Sequence, residues 1–413
     1  MRAVLGQDIL TELERQDYDI PDPLQSDIDY DEKADINNYL EAAFDRGILA
    51  GLPTKYIHKY RDLIFKEYFR VFRLRLGKNT AANFEPMSVK TIPGAKLRKG
   101  HSINLSNLPK DALDSLHAQL QLNKSMGIVS DDVLAGSVLH SLLTVKKPTG
   151  SLRWVITAIT VNDITVDFYH YQADNADELQ SIMQGAKHYY WVADLTKGYW
   201  QISLAEDSQW LFCFATPFGA YKYLRAPMGS KATAPYFDKC MAGMLEGANL
   251  LRKGVVMIHN DHAGYASHIH DEDPNGRSHY HLLRRYLKLC AELNVFISPK
   301  KFEVYIRDPD IAGHVHGDGG LRPSPPRYQS VVEAPDPTTV ADVYHGVSAM
   351  GWSRPFIPNF AVLERPIRAF VMKALNGGAQ TIRRAKNKNS RTTAGRTSST
   401  RPICDSNSVS STQ

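Results

Sequence analysis

Two aspartates of this chain lie at the ends of short apolar stretches, in an arrangement that could bind metal ions. Asp194 ends "YYWVAD", and Asp261 follows "VVMIHN" 67 positions later. Aromatic and β-branched residues predict a β-strand in each case, so each carboxylate would project beyond the end of a strand. Carboxylate oxygens bind Mg²⁺, and paired Mg²⁺ ions catalyse phosphoryl transfer. The pair indicates such chemistry, whereas a single strand-end aspartate is more often a turn or cap residue.

The same segment allows a zinc site as an alternative. His259 and His262, with Asp261, His268 and His270, could supply imidazole and carboxylate ligands. The pattern around them predicts strand, turn and strand, however, and residues three apart on such a strand point to opposite faces. The later histidines lie in "SHIHDEDPNGRSHYH", which is typical of a solvated loop. This geometry disfavours zinc.

The elements upstream of Asp194 form a predicted helix and a hairpin. A helical pattern over residues 107–127 has leucines on one face and ends at a glycine. Two strand patterns follow, joined by the turn residues 148–150. They predict a β-hairpin that carries Lys146, Lys147 and Arg153 near its tip.

The remaining periodic segments predict an α+β fold. We expect helices over residues 232–245 and 278–293, and a helical stretch from 36 to 75 that is interrupted at 51–53. Strands precede helices irregularly, without regular βαβ alternation, which favours an antiparallel sheet.

Composition limits the class of protein. With 413 residues and 43% hydrophobic content, the chain can bury a core. No apolar run approaches the roughly 20 residues that a membrane span needs. The four cysteines are scattered singly, which argues against a disulfide framework. We therefore expect an intracellular protein, cytoplasmic or nuclear, without membrane partners.

The ends differ from the body in charge and complexity. Residues 21–35 are acidic and punctuated by prolines, which predicts a linker. Residues 376–413 contain few apolar side chains, which predicts disorder. The net charge of the whole chain is +5. The last 38 residues alone have a net charge of +6, so the net charge of the residues before them is −1. Nucleic-acid binding by the body would therefore need a local basic groove.

Five stretches occur in a characteristic order: "ADLTKGYWQISL", "LRAPMGSKATAPYFDKCM", "VMIHNDHAGYAS", "LNVFISPKKFEV" and "IAGHVHGDGGLRPSP". In order and spacing they resemble the reverse transcriptase of gypsy-type LTR retrotransposons. The resemblance implies a right-hand polymerase fold with fingers, an antiparallel-sheet palm and a partial thumb. It also implies template-directed addition of deoxynucleotides to a primer 3′-hydroxyl. The implied partners are dNTPs and an RNA or DNA template with primer, and a homodimer is possible.

The resemblance also assigns boundaries. Residues 1–20 resemble the end of a retropepsin, but the chain has no Asp-Thr-Gly or Asp-Ser-Gly triplet, so no protease activity is expected. Residues 21–79 would be the acidic linker and a helical region, and 80–320 the fingers and palm. Residues 321–375 would begin the thumb or connection, and 376–413 form the basic tail. No RNase H segment follows in this sequence.

Roles follow by resemblance for the matching positions. Asp194 would be the first metal carboxylate, and an active relative would hold two Mg²⁺ ions. Tyr199 would pack under the incoming sugar and reject a 2′-hydroxyl, or else be a core aromatic. Met228 and Gly229 would line the nucleotide pocket.

Three cationic side chains receive roles in the same way. Lys147 and Arg153 would hold triphosphate oxygens, and Lys301 would donate a proton to pyrophosphate. The alternative to these roles is that all three side chains are solvated surface charges.

The aspartate pair of the family is altered in this chain. The flanking residues align this pair with Asn260-Asp261, so that the amide of Asn260 replaces the second metal-binding carboxylate. A shifted alignment would place the pair at Asp261-His262 instead. In either case one carboxylate is missing, and Asp194 and Asp261 remain to bind metal. We expect weakened metal binding and activity lowered by about 10² to 10³ or more. The chain is thus identified as a degenerate or truncated copy, and the alternative function is that of a catalytically inactive nucleic-acid-binding protein.

Overall fold

The computed structural model describes residues 30–77, 81–97, 108–146, 152–166, 176–183, 189–269, 276–311, 313–317 and 320–388. Lys147, His270 and Asn107, the first residue of the helical pattern over 107–127, therefore lie outside the described residues, as does the retropepsin-like segment 1–20. The described residues divide into two compact units: those within 30–311 together with 316, 317 and 320, and those within 313–315 together with 321–388. Each unit is described by itself.

The first unit combines helices and short strands. Its α-helices are α1 (Tyr30–Leu49), α2 (Ile57–Arg61), α3 (Lys110–Ser125), α4 (Ile159–Ile164), α5 (Ala176–Met183), α6 (Glu206–Gln209), α7 (Thr233–Gly247) and α8 (His279–Glu292). Its strands are β1 (Val129–Ser130), β2 (Leu139–His140), β3 (Leu142–Lys146), β4 (Leu152–Ile156), β5 (Tyr189–Asp194), β6 (Cys213–Thr216), β7 (Gly219–Tyr223), β8 (Val255–Ile258), β9 (Asp261–Ala266), β10 (Glu303–Ile306) and β11 (Asp310–Ile311).

The central sheet carries both aspartates. Its strand order is β10-β5-β9-β8, and every pairing is antiparallel. Strands β8 and β9 form a hairpin with His259 and Asn260 in its turn, where His259 takes a left-handed conformation with φ 53°. The register pairs Asp194 of β5 directly with Asp261 of β9. The predicted strand, turn and strand and the predicted antiparallel sheet are confirmed.

Strand β5 is packed on both faces. Trp191 belongs to the main core and lies against Tyr286 of α8, with ring centroids 4.6 Å apart. Tyr190 and Val192 point to the other face, where they join a smaller cluster with Leu179 of α5. This alternation follows from the two-residue period of a strand, and each large buried side chain contributes about 1.5–3 kcal/mol. The packing fixes the strand that ends at Asp194.

The predicted hairpin is present as β3 and β4, which pair antiparallel from Leu142↔Ile156 to Lys146↔Leu152. The strand predicted before the turn is wrong as a continuous element, because β2 and β3 join different partners. β2 pairs with β6 in a second sheet of order β1-β7-β6-β2. The chain breaks at Ser141, whose carbonyl accepts hydrogen bonds from the Thr157 amide and hydroxyl at 2.9 and 3.0 Å.

The predicted helices α3, α7 and α8 are confirmed. In α3, Leu116 and Leu120 are buried, and Gly127 after its end has φ 61°. Pro109 occupies the N-cap position of α3. Helix α8 begins with Ser278, whose hydroxyl accepts a hydrogen bond from the His281 amide.

The predicted linker is helical in its last part, because α1 already begins at Tyr30. Acidic residues there favour the start of a helix, since they complement its dipole. Helix α1 packs on β10: Gly47 lies against Val304, and Arg46 bonds Glu303 at 2.9 Å. The helical stretch also ends earlier than residue 75, in a π-helical turn over Asp62–Glu67 and a 3₁₀ turn over Phe69–Val71. Residues 30–77 thus belong to the same compact unit as the central sheet.

The second unit contains β12 (His314–Val315), β13 (Arg322–Pro323), α9 (Pro325–Val332), α10 (Val340–Met350) and α11 (Phe360–Lys388). Helix α10 starts with a capping box between Thr339 and Asp342. Helix α11 continues through residues 376–388, the first part of the segment predicted to be disordered, and residues 389–413 lie outside the described residues. Alanine, glutamine, arginine and lysine are strong helix formers, and they outweigh the two glycines there. Among the described residues, no helix has the length and apolar composition that a bilayer span requires.

Candidate active site

The two aspartates are adjacent at the end of the central sheet. Asp194 is only 6% exposed, and its register partner Asp261 is partly buried. Burial, the negative charge of Asp194 and a hydrogen bond between the two carboxyl groups raise the pKa of Asp261 to about 6. The structure therefore brings together the pair predicted from the strand ends, at a place where negative charge is already costly.

Asn260 lies beside Asp194. Its side-chain Nδ2 donates to Asp194 Oδ1 at 2.6 Å, and its backbone carbonyl accepts from the Leu195 amide at 2.9 Å. His262, the other residue considered for the missing acid, is fully buried and bonds the Tyr286 hydroxyl at 2.9 Å. Burial lowers the pKa of His262 to about 4. Of these two residues, only Asn260 contacts the aspartate pair.

Lys301 also contacts the pair. Its Nζ donates to Asp194 Oδ1 at 2.7 Å, although the side chain is 63% exposed. The backbone of this segment is tied to β5, because the Ser298 amide donates to the Asp194 carbonyl at 2.8 Å. One carboxylate oxygen thus accepts hydrogen bonds from both an ammonium and an amide.

A cavity of about 590 Å³ opens next to Asp194. Arg153 of β4, Tyr199, Met228, Asn260 and Lys301 contribute to its lining. The cavity brings together residues from the hairpin, from the turn after β5 and from the segment before α7. Its size and mixed lining are typical of small-molecule sites.

Tyr199 is half-buried at this cavity. Its ring packs edge-on against Phe237 of α7, with centroids 5.4 Å apart. Burial and the nearby charge of Asp238 raise the pKa of the Tyr199 hydroxyl. Tyr199 therefore presents a neutral phenol to the cavity while its ring also packs on the core.

Among the described residues, Met228 lines the cavity and Gly229 does not. Gly229 instead packs against the hairpin. It has φ 110°, and a Cβ at this position would lie 2.3 Å from the Ile156 carbonyl oxygen. Its own carbonyl accepts from Asn162 Nδ2 at 2.9 Å. Only glycine permits this close approach of the backbone to β4.

Sequence reasoning missed an ion pair behind the β8–β9 turn. Asp238 of α7 is 3% exposed, and its carboxylate oxygens lie 2.9 and 3.0 Å from His259 Nδ1. This hydrogen bond raises the pKa of His259. A carboxylate at a buried position of a helical pattern was the available signal, but it does not identify the partner 21 residues away.

A second missed residue is Gln201, which is 1% exposed. Its Nε2 donates to the carbonyls of Thr196 and Phe296, both at 2.9 Å, and its Oε1 accepts from the Phe296 amide at 2.7 Å. Gln201 thereby joins the turn after β5 to the segment that leads to Lys301.

The side chains at the pair fit a divalent cation in part. Asp194 and Asp261 supply carboxylate oxygens, and a cation would relieve the repulsion that raises the pKa of Asp261. Asn260 supplies only an amide, so the set suits one cation better than two. Within the described residues, no three His, Cys, Asp or Glu side chains cluster in a way that could hold a metal ion. His259 and His262, the ligands of the disfavoured zinc alternative, bond different partners, Asp238 and Tyr286.

A family model described as reverse transcriptase (RNA-dependent DNA polymerase) matches residues 145–333. This range includes every candidate site residue from Lys147 to Lys301. The match confirms the reverse transcriptase domain predicted from the five motifs.

The relatives are retroviral and retrotransposon polyproteins. The Pol polyprotein of transposon 297 from Drosophila melanogaster is 26% identical over 326 residues, 77% of this chain and 28% of that protein. The Pol polyprotein of transposon gypsy from the same organism is 23% identical over 198 residues, 47% of this chain and 18% of that protein. The Gag-Pol polyprotein of koala retrovirus is 27% identical over 268 residues, 63% of this chain and 15% of that protein. The chain spans less than a third of each relative.

Solved structures show the same fold. A foamy viral protease-reverse transcriptase in complex with double-stranded DNA aligns with a TM-score of 0.66 and 16% identity, over 82% of this chain and 56% of that one. A foamy viral protease-reverse transcriptase in complex with an RNA/DNA hybrid gives the same TM-score, with 43% of its chain covered. The predicted polymerase fold is confirmed.

Proposed function

Residues 145–333 are a reverse transcriptase domain, and from this premise we propose that the protein acts as an RNA-directed DNA polymerase of a gypsy-type retrotransposon. The reaction is the template-directed addition of deoxynucleotides to a primer 3′-hydroxyl. The observation that supports it most is the register of β5 and β9, which pairs Asp194, a residue of the cavity lining, with Asp261.

Each side chain of the site has a separate role in this reaction. Asp194 and Asp261 would hold Mg²⁺, which when bound activates the primer hydroxyl and neutralises the departing pyrophosphate. Arg153 and Lys147 bind triphosphate oxygens through charge-assisted hydrogen bonds. Tyr199 packs under the sugar, and Lys301 donates a proton to pyrophosphate.

Activity in this chain is low, because Asn260 cannot contribute a negative charge to the metal site. In a reaction that depends mainly on electrostatics, losing one such group lowers the rate by about 10² to 10³. The second candidate function is therefore that of a catalytically inactive protein, which binds nucleic acid at the same site. The hydrogen bond from Asn260 to Asp194 is the observation that favours this alternative.

The related structures, which contain double-stranded DNA and an RNA/DNA hybrid, support a nucleic-acid partner. We propose that this chain binds a primer–template duplex and dNTPs, in the cytoplasm or the nucleus, either as a monomer or as a homodimer. The basic tail adds salt-sensitive contacts with phosphates.

Primer extension on an RNA template, with Mg²⁺ or Mn²⁺, tests the proposal. We expect the unaltered protein to extend slowly and Asn260→Asp to gain about 10² in rate. Asn249→Asp is the matched control, because Asn249 bonds Lys253 instead of the aspartate pair. Asp194→Asn should abolish the gain.

Two results would contradict this account. If Asn260→Asp folds and binds primer–template but gains no activity, Asn260 is not the lost metal ligand. If the unaltered protein extends primers at about 1–100 s⁻¹, the range typical of kinases, the missing acid does not limit the rate.

A further inference from the structure

The hydrogen bonds at Asp194 bear on how this chain admits a metal ion. Lys301 Nζ and Asn260 Nδ2 both donate to the same oxygen, Oδ1, at 2.7 and 2.6 Å. The Asp194 side chain is 9% exposed, so few water molecules can replace these donors. A carboxylate oxygen offers about two acceptor sites, and both are used here.

The local charges reinforce this arrangement. Asp194 and Asp261 bring two negative charges, Lys301 brings one positive charge, and Asn260 brings none. A cation that approaches Asp194 therefore meets repulsion from the Lys301 ammonium, and to bind Oδ1 it must displace two hydrogen bonds. Charge-assisted hydrogen bonds of this length are the stronger class.

We propose that Lys301 is an internal counter-ion of Asp194, which competes with divalent cations for the aspartate pair in the free protein. The proposal rests on the proposed function only in taking Asp194 and Asp261 as the cation ligands. Removal of the Lys301 charge opens the site to a cation even when no nucleotide, primer or template is present. Asn260 also donates a hydrogen bond to this oxygen, so restoring an acid there adds to the effect.

Mn²⁺ binding to the full chain tests this directly, because electron paramagnetic resonance reports free Mn²⁺ without any turnover. We expect weak binding by the unaltered protein and an approximately tenfold tighter Kd for Lys301→Met, the effect of releasing one charge-assisted hydrogen bond. Lys301→Arg keeps the charge and should bind as weakly as the unaltered protein. Asp194→Asn combined with Lys301→Met should lose the gained ion.

Lys300→Met is the matched control. Lys300 also lines the cavity, but its Nζ lies over the Tyr39 ring, 5.1 Å from the centroid. The same change in net charge one residue away should leave the Kd within about twofold, since surface charges are screened. Circular dichroism establishes that each variant is folded, and Lys301→Gln replaces Lys301→Met if the latter does not fold.

Three results would overturn the proposal. They are tight Mn²⁺ binding by the unaltered protein, equal effects of the two methionine variants, and no change with Lys301→Met. Because the measurement involves no nucleic acid, a lack of polymerase activity would refute the proposed function and leave this result intact.

Discussion

Replacing Gly264 with alanine should destabilise the protein strongly. Gly264 of β9 pairs with Trp191 of β5, and a Cβ on Gly264 would lie 2.0 Å from Cε2 and 2.1 Å from Nε1 of the indole. Carbon atoms in contact prefer about 3.5–4.0 Å, so the ring or the strand must move by roughly 1.5 Å. Trp191 is fully buried against Tyr286, which leaves no free space for that movement.

The expected loss is near the upper end of the range for overpacking, about 3 kcal/mol of unfolding free energy. The reason is that a shift at Gly264 moves the central strand pair, whose register also sets Asp194 opposite Asp261. Urea unfolding followed by circular dichroism measures the change, and linear extrapolation gives the free energy of unfolding.

Two further variants separate the clash from a general effect of alanine. Gly243 lies in α7, and, apart from its chain neighbours and the adjacent helix backbone, no atom of the described residues lies within 4 Å of the point that a Cβ on it would occupy. Gly243→Ala should therefore stabilise by roughly 0.5–1 kcal/mol. In a Trp191→Phe background, the loss caused by Gly264→Ala should shrink by at least about 1 kcal/mol. The steric reasoning is refuted if Gly264→Ala stays within about 0.5 kcal/mol of the unaltered protein, or if Trp191→Phe leaves its effect unchanged.

Three other outcomes follow from single contacts. Gly229→Ala should lower the unfolding free energy by about 1–3 kcal/mol in urea titrations, because its Cβ would clash with the carbonyl oxygen of Ile156 in β4. Gly219 also has a positive φ, 124°, but a Cβ there would point into open space. Gly219→Ala should therefore lower the unfolding free energy less. Burial lowers the pKa of His279 to about 4, so the unfolded chain binds more protons between pH 6.5 and 4. Stability is then complete above pH 6.5 and falls toward pH 4 by up to about 1.4 kcal/mol per unit, and urea titrations of His279→Gln should show a smaller slope. Asp238→Asn should lower the pKa of His259, since their hydrogen bond raises it, and a histidine NMR titration that finds no decrease would contradict the pairing.

The elements with strong local patterns were predictable from the sequence. Helices α7 and α8 have apolar residues at helical spacing, and β3 and β4 flank turn residues, so local preferences and tertiary packing agree there. The split between β2 and β3 was not predictable, because no local break exists. The split arises where β2 pairs with β6, which lies some 70 residues later.

The sequence predicted those residues of the candidate site that lie at strand ends or within the family motifs. The neighbouring positions of Asp194 and Asp261 follow from an antiparallel pairing that the apolar stretches predicted. The contact of Lys301 with Asp194 and the pair of Asp238 with His259 depend on how a loop and a helix approach the sheet. Such approaches are set by tertiary packing, and residue spacing along the chain does not encode them.

The position of α1 on β10 has a practical consequence for protein production. β10 is an edge strand of the central sheet, and exposed edges pair with other chains and cause aggregation. A fragment cut at the family-match boundaries, residues 145–333, would lack α1 and leave the β10 residues that α1 contacts uncovered. A fragment that begins at Tyr30 keeps the cover, so it should elute as a single species in size-exclusion chromatography where the shorter one self-associates.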